Sequence, residues 1–237
     1  MDGRLMEMTM KLPMVEIFET VEGEGLKAGF LTTFVRLYNC NLRCTWCDTK
    51  YSYAPHSPEF FATIEEITEQ VRKFGNPSIC LTGGEPLMHG SKSLALIAAL
   101  AELPHVEDIH IETNGAILLR PFHELRESHH LVKEKVRFVL DYKLTSSGET
   151  QSMIMENFHY LGSRDEIKFV VGNAAEFAEA SRIIEEFYQQ GQILFSPVWD
   201  QLAPAELVKL MLQSPFKQAK LSLQTHKYIW HPDTKGV

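Results

Sequence analysis

Short apolar segments rich in β-branched residues alternate with amphipathic helical patterns along most of this chain, and this alternation constrains the fold most strongly. Seven segments have the length and composition of buried strands, at 31–39, 78–83, 106–113, 136–143, 166–172, 192–198 and 219–225. Strands joined by helices through short connections predict an α/β fold with a mainly parallel sheet, either open or curled into a barrel. Since no boundary or repeat divides the 237 residues, we expect a single domain over 1–237.

Capping patterns place the helices between these strands. Thr63 and Glu66 form a capping-box pattern at the start of a helix over 64–74. Asn173 and Glu176 open another helix in the same way, and Gly191 is expected to end it. Pro204 suits the first turn of a third helix.

Polar segments follow several of the predicted strands. They are "TGGEP" at 82–86, "ETNG" at 112–115, "DYK" at 141–143 and "SPVWD" at 196–200. Because ligands bind at the carboxyl ends of parallel strands, the functional site is expected where these segments meet.

Composition narrows the classes of function. A formal net charge of −8 argues against broad binding to nucleic acid or to anionic membranes, so a small-molecule substrate is favoured. The N-terminal residues lack the apolar core of a signal peptide, and no run of 18 apolar residues occurs. These features predict a cytoplasmic protein without a membrane span.

The segment "NCNLRCTWCDTK", over 39–50, contains three of the four cysteines, Cys40, Cys44 and Cys47. A reducing cytosol keeps such cysteines as thiols, which favours metal binding over a disulfide framework. Three thiolates on a loop can hold an iron-sulfur cluster with one iron left open, whereas structural zinc needs a fourth ligand such as Cys80 or His89. Burial of the cysteines as ordinary apolar residues is the third alternative.

The three cysteines, with Trp46 immediately before the last of them and "TGGEP" about 35 residues later, resemble the radical S-adenosylmethionine (SAM) superfamily. The resemblance implies a 4Fe-4S cluster on three cysteines, with SAM chelating the fourth iron as the source of a 5'-deoxyadenosyl radical. It therefore implies no catalytic side chain. Gly83 and Gly84 would let the backbone approach the methionine amino group, although an ordinary strand-to-helix turn also uses such residues.

Five segments together resemble 7-carboxy-7-deazaguanine synthase: "EIFETVEGEG" (16–25), "FVRLYNCNLRCTWCDTK" (34–50), "TGGEP", "ETNG" and "LQTHKYIW" (223–230). This family converts 6-carboxy-5,6,7,8-tetrahydropterin to 7-carboxy-7-deazaguanine with loss of ammonia, on the way to queuosine and related 7-deazapurines. The resemblance implies a radical SAM core built as an incomplete TIM-type barrel, a Mg²⁺ ion, a homodimer and an external one-electron donor of the flavodoxin or ferredoxin type.

The resemblance also implies roles for individual positions. The cluster ligands are Cys40, Cys44 and Cys47, and Mg²⁺ is held by Thr49. Contacts to SAM are implied for Trp46, Cys47, Asp48, Gly84, Asp141, Tyr142, Lys143, Ser196, Pro197, Val198 and Trp199. Contacts to the pterin are implied for Val21, Glu22, Gly23, Arg36, Thr82 and Val237. His226 is assigned no role.

Two of these positions also have physical arguments of their own. The Arg36 guanidinium can hold a substrate carboxylate through two parallel hydrogen bonds, although a lone arginine is more often part of a surface ion pair. The Thr49 hydroxyl is a hard oxygen donor of the kind that Mg²⁺ prefers. Glu22 departs from the glutamine that the family usually has, and the chain continues past "HKYIW" to "HPDTKGV".

Two alternatives stay open at this point. The change at Glu22 allows a related radical SAM enzyme that acts on another 7-deazapurine, for instance one that cleaves queuine. A protein of another class, in which the cysteines bind structural zinc and the chain binds a partner, is the second alternative.

Overall fold

The computed structural model describes residues 7–231 and 234–236 and contains a single nine-stranded sheet in that part of the chain. The strands are β1 (Lys11–Val21), β2 (Leu31–Leu37), β3 (Phe60–Thr63), β4 (Ser78–Gly83), β5 (Asp108–Thr113), β6 (Val136–Tyr142), β7 (Glu166–Val171), β8 (Gln192–Pro197) and β9 (Lys220–Leu221). The helices are α1 (Ile64–Phe74), α2 (Ser91–Ala101), α3 (Arg120–Ser128), α4 (His130–Lys135), α5 (Ala174–Phe187), α6 (Pro204–Gln213) and α7 (His226–Ile229).

The strand order is β3-β1-β2-β4-β5-β6-β7-β8-β9. All neighbours from β2 to β9 are parallel, whereas β1 runs antiparallel to both β2 and β3. Because β3 and β9 lie at opposite edges, the sheet of the described chain does not close on itself. The predicted α/β fold with an incomplete, mainly parallel barrel is confirmed.

The two faces of the sheet differ in polarity. Apolar side chains such as Leu81, Ile111 and Phe169 are fully buried against the helices and form the main core. Side chains at the alternate positions, such as Arg36 and Lys168, point to the other face and line a cavity. The period-2 alternation of a strand thus separates a helix-covered core from a polar concave face.

Local sequence signals explain two helix starts. Thr63 accepts a hydrogen bond from the Glu66 amide (3.1 Å) and its own amide donates to Glu66 Oε2 (2.7 Å), so the predicted capping box is confirmed. Asn173 caps α5 through the Glu176 amide, but the Glu176 carboxylate accepts from Gly172 instead of completing a box. The helix ends at Phe187, so the prediction that Gly191 ends it is wrong.

Two strands were missing from the sequence prediction. β1 begins with a proline-containing, partly charged segment, and β3 is a four-residue edge strand with both Phe60 and Phe61 exposed. The predicted last strand over 219–225 is reduced to two residues.

In the described part of the chain, no helix combines the length and apolar composition that crossing a membrane requires.

Candidate active site

A cavity of about 270 Å³ opens on the concave face of the sheet. The loop after β2 and the turn after β4 form one wall, and charged side chains of β5, β6 and β7 form the base. Residues 21–24 and the C-terminal segment around α7 cover the remaining side. The cavity therefore lies where the polar segments after the strands meet, as expected for parallel sheets.

The three clustered cysteines line this cavity as free thiols. Hydrogen bonds fix their loop at its start and in its middle: the Asn39 amide donates to the Ser52 carbonyl (2.7 Å), and the Thr45 amide donates to the Ser147 carbonyl (3.0 Å). All three cysteines therefore border the space that a ligand in the cavity would occupy.

Burial raises the pKa of the Cys40 thiol, and it raises the pKa of Cys44 to about 11, with Lys143 partly opposing the second shift. Desolvation favours the neutral thiol over the thiolate. Binding of a metal centre must therefore displace protons from these residues, which makes their metal affinity dependent on pH.

The spacing of the thiols separates the two metal alternatives. Thiolates that share one tetrahedral zinc lie about 3.8 Å apart, given Zn–S bonds of about 2.3 Å. Among the described residues, the only three cysteine, histidine or acidic side chains whose ligand atoms all lie within 4.8 Å are Glu22, Cys80 and His110. At least one pair of the three loop sulfurs is therefore more than 4.8 Å apart, which is wider than thiolates that share one zinc ion and is compatible with the larger 4Fe-4S cube.

The proposed fourth zinc ligands lie elsewhere. Cys80 is fully buried in β4 and does not line the cavity. The Nε2 atom of His89 lies 3.0 Å from the Tyr38 carbonyl oxygen, also away from the cavity. The donor set thus fits a 4Fe-4S cluster with three protein ligands and one open iron.

The turn after β4 supports the cysteine loop. A Cβ atom on Gly83 would lie 2.2 Å from the Leu37 carbonyl oxygen, and one on Gly84 would lie 2.2 Å from the Asn39 carbonyl oxygen. The Glu85 amide donates to the same Asn39 carbonyl at 2.8 Å. The two glycines therefore allow the turn and the cysteine loop to pack backbone against backbone.

Glu85 connects this turn to β5. Its buried carboxylate accepts hydrogen bonds from the Leu87 and Asn114 amides (2.9 and 2.7 Å) and from the Thr113 hydroxyl (3.1 Å). Burial raises the pKa of Glu85 to about 7 despite these donors. The Asn114 side-chain amide in turn donates to Asn41 Oδ1 at 2.9 Å, so the segments "TGGEP" and "ETNG" both hold the cysteine loop.

Lys168 is the central cation of the cavity base. Its Nζ atom lies 3.0 Å from Glu24, 3.6 Å from Asp141 and 4.0 Å from Glu112. Burial opposes the charge, but the three carboxylates raise the pKa of Lys168 well above its usual value. Lys168 is therefore a permanent cation that neutralises a carboxylate-rich base.

Lys143 provides a second cation near the cysteines. It pairs with Asp141 at 2.9 Å, and its Nζ atom lies 5.0 Å from the centre of the Trp46 ring. The pair thus places one positive and one negative group beside the cysteine loop.

Arg36 has features of both roles that the sequence left open, a member of an ion pair and a ligand for a substrate carboxylate. Its Nε donates to Glu16 at 2.8 Å, yet its side chain is largely buried and lines the cavity. Because this ion pair uses Nε, it leaves the terminal Nη atoms for a carboxylate ligand. The Thr82 hydroxyl, in register with Arg36 on the next strand, donates to Glu112 at 3.1 Å.

Most residues assigned by resemblance meet in this cavity. Its lining includes Val21, Glu22, Gly23, Arg36, Cys40, Cys44, Trp46, Cys47, Asp48, Thr49, Thr82, Gly84, Asp141, Lys143, Val198 and Trp199. Tyr142 instead packs in the core against Phe158 and Phe169, and neither Ser196 nor Pro197 lines the cavity. Val237 lies outside the described residues.

The C-terminal segment "QTHK" (224–227), which resembles a segment near the substrate in the family, contributes residues to which the sequence gave no individual role. Gln224 donates to Glu24 at 3.1 Å and to Asp48 at 3.3 Å, and Lys227 pairs with Asp48 at 3.4 Å. His226, to which the sequence assigned no role, also lines the cavity, and a Cβ atom on Gly23 would lie 2.4 Å from its Nδ1 atom.

The other missed residues are Glu24, Glu112 and Lys168, which all line the cavity. A charged residue within an otherwise apolar strand, as Lys168 is in "EIKFVV", was the available signal. Such a residue must have a partner or face a polar site when the strand is buried.

The chain is similar to known proteins in sequence and in fold. Residues 35–142 match the model of the Radical SAM superfamily. Proteins named 7-carboxy-7-deazaguanine synthase are 34% identical over 96% of this chain and 100% of the relative in Clostridium acetobutylicum, and 34% identical over 95% and 97% in Chlorobaculum tepidum. The crystal structure of QueE from Escherichia coli matches with a TM-score of 0.71 at 20% identity, covering 94% of this chain and 98% of that one.

Proposed function

Because this chain belongs to the 7-carboxy-7-deazaguanine synthase family of radical SAM enzymes, we propose that it converts 6-carboxy-5,6,7,8-tetrahydropterin to 7-carboxy-7-deazaguanine with loss of ammonia. The observation that carries this proposal is the meeting of three free thiols and the Arg36 guanidinium in one cavity. The thiols fit an open iron-sulfur cluster, and the guanidinium fits the carboxylate of the pterin.

Cys40, Cys44 and Cys47 would hold a 4Fe-4S cluster, which with SAM supplies a 5'-deoxyadenosyl radical. Trp46, Gly84, Asp141 and Lys143 lie on the same side of the cavity as these cysteines, and we assign the nucleotide contacts to this side. The Asp141–Lys143 pair offers an acceptor and a donor to the zwitterionic methionine part of the nucleotide.

The pterin site lies around Arg36, Thr82 and Glu22. The Nη atoms of Arg36 would bind the substrate carboxylate, and Glu22 would accept hydrogen bonds from the N–H groups of the ring. Enclosure by the C-terminal segment keeps water from a reactive radical and fixes which C–H bond lies nearest to it.

Magnesium is the third component of the proposal. Thr49 Oγ1 lies 3.7 Å from Cys47 Sγ, and both Thr49 and Asp48 line the cavity. Hydroxyl and carboxylate oxygens are ligands that suit Mg²⁺, which commonly keeps several waters or substrate oxygens. A homodimer and an external one-electron donor of the flavodoxin or ferredoxin type complete the proposed enzyme.

The test is anaerobic reconstitution with iron and sulfide, followed by mass spectrometry of the products formed from the pterin and SAM under a reductant. Wild-type protein is expected to form 7-carboxy-7-deazaguanine, while Cys44→Ala is expected to lose both cluster and activity. Cys80→Ala is the matched control, because it removes a buried thiol outside the cavity and is expected to keep its iron. Formation of 5'-deoxyadenosine alone would refute the substrate while leaving the superfamily chemistry intact.

A further inference from the structure

Below the cavity, five buried or largely buried ionisable side chains form a continuous network of alternating charge. They are Glu22, His110, Asp108, Arg137 and Glu166, in this order. His110 lies 2.7 Å from Glu22 and 3.1 Å from Asp108, and Arg137 pairs with Asp108 at 2.8 Å and also contacts Glu166. Among these five residues, only Glu22 has a role that the sequence predicts.

The geometry around His110 determines its charge. Its Nε2 atom faces a carboxylate oxygen of Glu22 and its Nδ1 atom faces a carboxylate oxygen of Asp108. Carboxylates only accept hydrogen bonds, so both ring nitrogens must carry protons if both partners are ionised. Arg137 pairs with both Asp108 and Glu166, so the negative charge of Asp108 has a cation on each side, Arg137 and His110. His110 is thus a buried imidazolium between two carboxylates.

The other ionisable groups near His110 come from every neighbouring strand. Cys80 of β4 lies within ligand distance of it, Glu112 follows it on β5, and Arg137 lies on β6. Lys168 of β7 and Glu24 share the small cavity below Glu22 with His110. Burial by itself lowers the pKa of His110, but the hydrogen bonds that its ring donates to Asp108 and Glu22 raise the pKa above its ordinary value. The same contact with His110, opposing burial, lowers the pKa of Glu22.

Glu22 is the member of the network that reaches the active-site cavity. Its Oε2 atom contacts His110, its Oε1 atom accepts from the Glu24 amide at 3.1 Å, and Glu22 is one of the residues that line the main cavity. Each carboxylate oxygen has a second lone pair. The two fixed contacts therefore leave Glu22 with acceptor sites, and no donor, for a ligand in the cavity.

We propose that His110 is a positioning residue that holds Glu22 as an oriented carboxylate, so that Glu22 selects a substrate edge with adjacent N–H donors. This proposal rests on the proposed function, because the pyrimidine ring of the pterin provides such an edge in its 2-amino and ring N–H groups. A glutamine at position 22 would present one donor and one acceptor and would match this edge less well.

The test compares wild type, Glu22→Gln, His110→Gln and the double variant. His110→Gln can keep an N–H donor toward Glu22, while it removes the positive charge and the donor toward Asp108. For each protein, kcat and KM for the pterin are measured from pH 6.5 to 8.5, and SAM cleavage without pterin reports the integrity of the cluster site.

In wild type the KM is expected to vary little over this range. In His110→Gln the uncompensated carboxylate takes up a proton as the pH falls, so KM is expected to rise about tenfold toward pH 6.5 with SAM cleavage unchanged. The double variant is expected to lose this pH dependence, because a neutral amide at position 22 needs no imidazolium.

Three results separate the possibilities. Wild-type protein that makes no 7-carboxy-7-deazaguanine refutes the proposed function and the inference together. Wild-type turnover with a flat KM profile in His110→Gln refutes the inference alone. A pH dependence in His110→Gln that persists in the double variant also refutes it, because Glu22 would then not be the titrating group.

Discussion

Gly84→Ala adds a single methyl group where the turn after β4 meets the cysteine loop. The added Cβ would lie 2.2 Å from the Asn39 carbonyl oxygen and 2.8 Å from Cys40 Cβ. Gly84 does not have a positive φ, so alanine introduces no strain of its own at this position. The expected effect comes entirely from the contact with the loop.

The size of the displacement follows from these distances. Contacts of a Cβ atom closer than 3.0 Å essentially do not occur, so the 2.2 Å contact must open by about 0.8 Å. The Glu85 amide donates to the Asn39 carbonyl, and therefore the turn and the loop cannot separate without loss of this bond. Metal-ligand distances tolerate deviations of only about 0.2 Å, so Cys40 would be displaced beyond the range of a well-formed site.

The assay is the iron content of reconstituted protein together with the free energy of unfolding. Gly84→Ala is expected to lose most of its bound iron and about 1–3 kcal/mol of stability. Gly75→Ala is the matched control, because Gly75 has a φ of 73° at the end of α1 and no atom within 4 Å of an added Cβ. It should lose stability through backbone strain and retain its iron. Full iron occupancy in Gly84→Ala would refute the argument.

Three further predictions follow from buried charges outside the His110 network. The pKa of Glu85 is about 7 in the folded protein, against an ordinary value of 4.5. Between these two values the folded protein binds the Glu85 proton more fully than the unfolded chain does, so the free energy of unfolding declines as the pH rises. Glu85→Gln should flatten this slope, which is about 1.4 kcal/mol per pH unit, in denaturant titrations at several pH values; an unchanged slope would contradict the assignment. Arg126 binds both oxygens of the fully buried Asp165 at 2.8 Å. Arg126→Met should therefore lower the free energy of unfolding, measured in urea, by about 3–5 kcal/mol. Arg120 forms an exposed ion pair with Glu156, so Arg120→Met is the control and should change the free energy of unfolding little. Equal losses of unfolding free energy in the two variants would contradict this prediction. Lys168→Met leaves three carboxylates without their shared cation and should cost about 3–5 kcal/mol at pH 8, with partial recovery at pH 6 as the carboxylates take up protons. A loss of stability that is the same at both pH values would show that charge is not its cause.

The parts of the fold that were predictable are those with local causes. The strand over 78–83 is a continuous apolar run, and α1 is set by the Thr63 capping box; both have the predicted bounds. The edge strand β3 was not predictable, because its exposed Phe60 and Phe61 do not follow the alternation of a half-buried strand. Its place is set by pairing with β1, which is a non-local contact.

In the active site too, features with local causes were predictable and features that depend on non-local contacts were not. The cysteine loop is contiguous, so its spacing alone suggested a three-thiolate site. The pairs Glu22–His110 and Glu24–Lys168 join residues 88 and 144 positions apart, and no local pattern relates them. They depend on the curvature of the sheet, which brings residues after β1 onto β5 and β7. The sequence shows each charged residue but not the residue with which it pairs.

The most direct test of the central claim is low-temperature electron paramagnetic resonance of anaerobically reconstituted, reduced protein, recorded with and without SAM. Three thiolate ligands with an open fourth iron predict the signal of a reduced 4Fe-4S cluster, a change in that signal when SAM is added, and loss of the signal in Cys40→Ala but not in Cys80→Ala. Protein that binds zinc and gives no such signal would contradict the account.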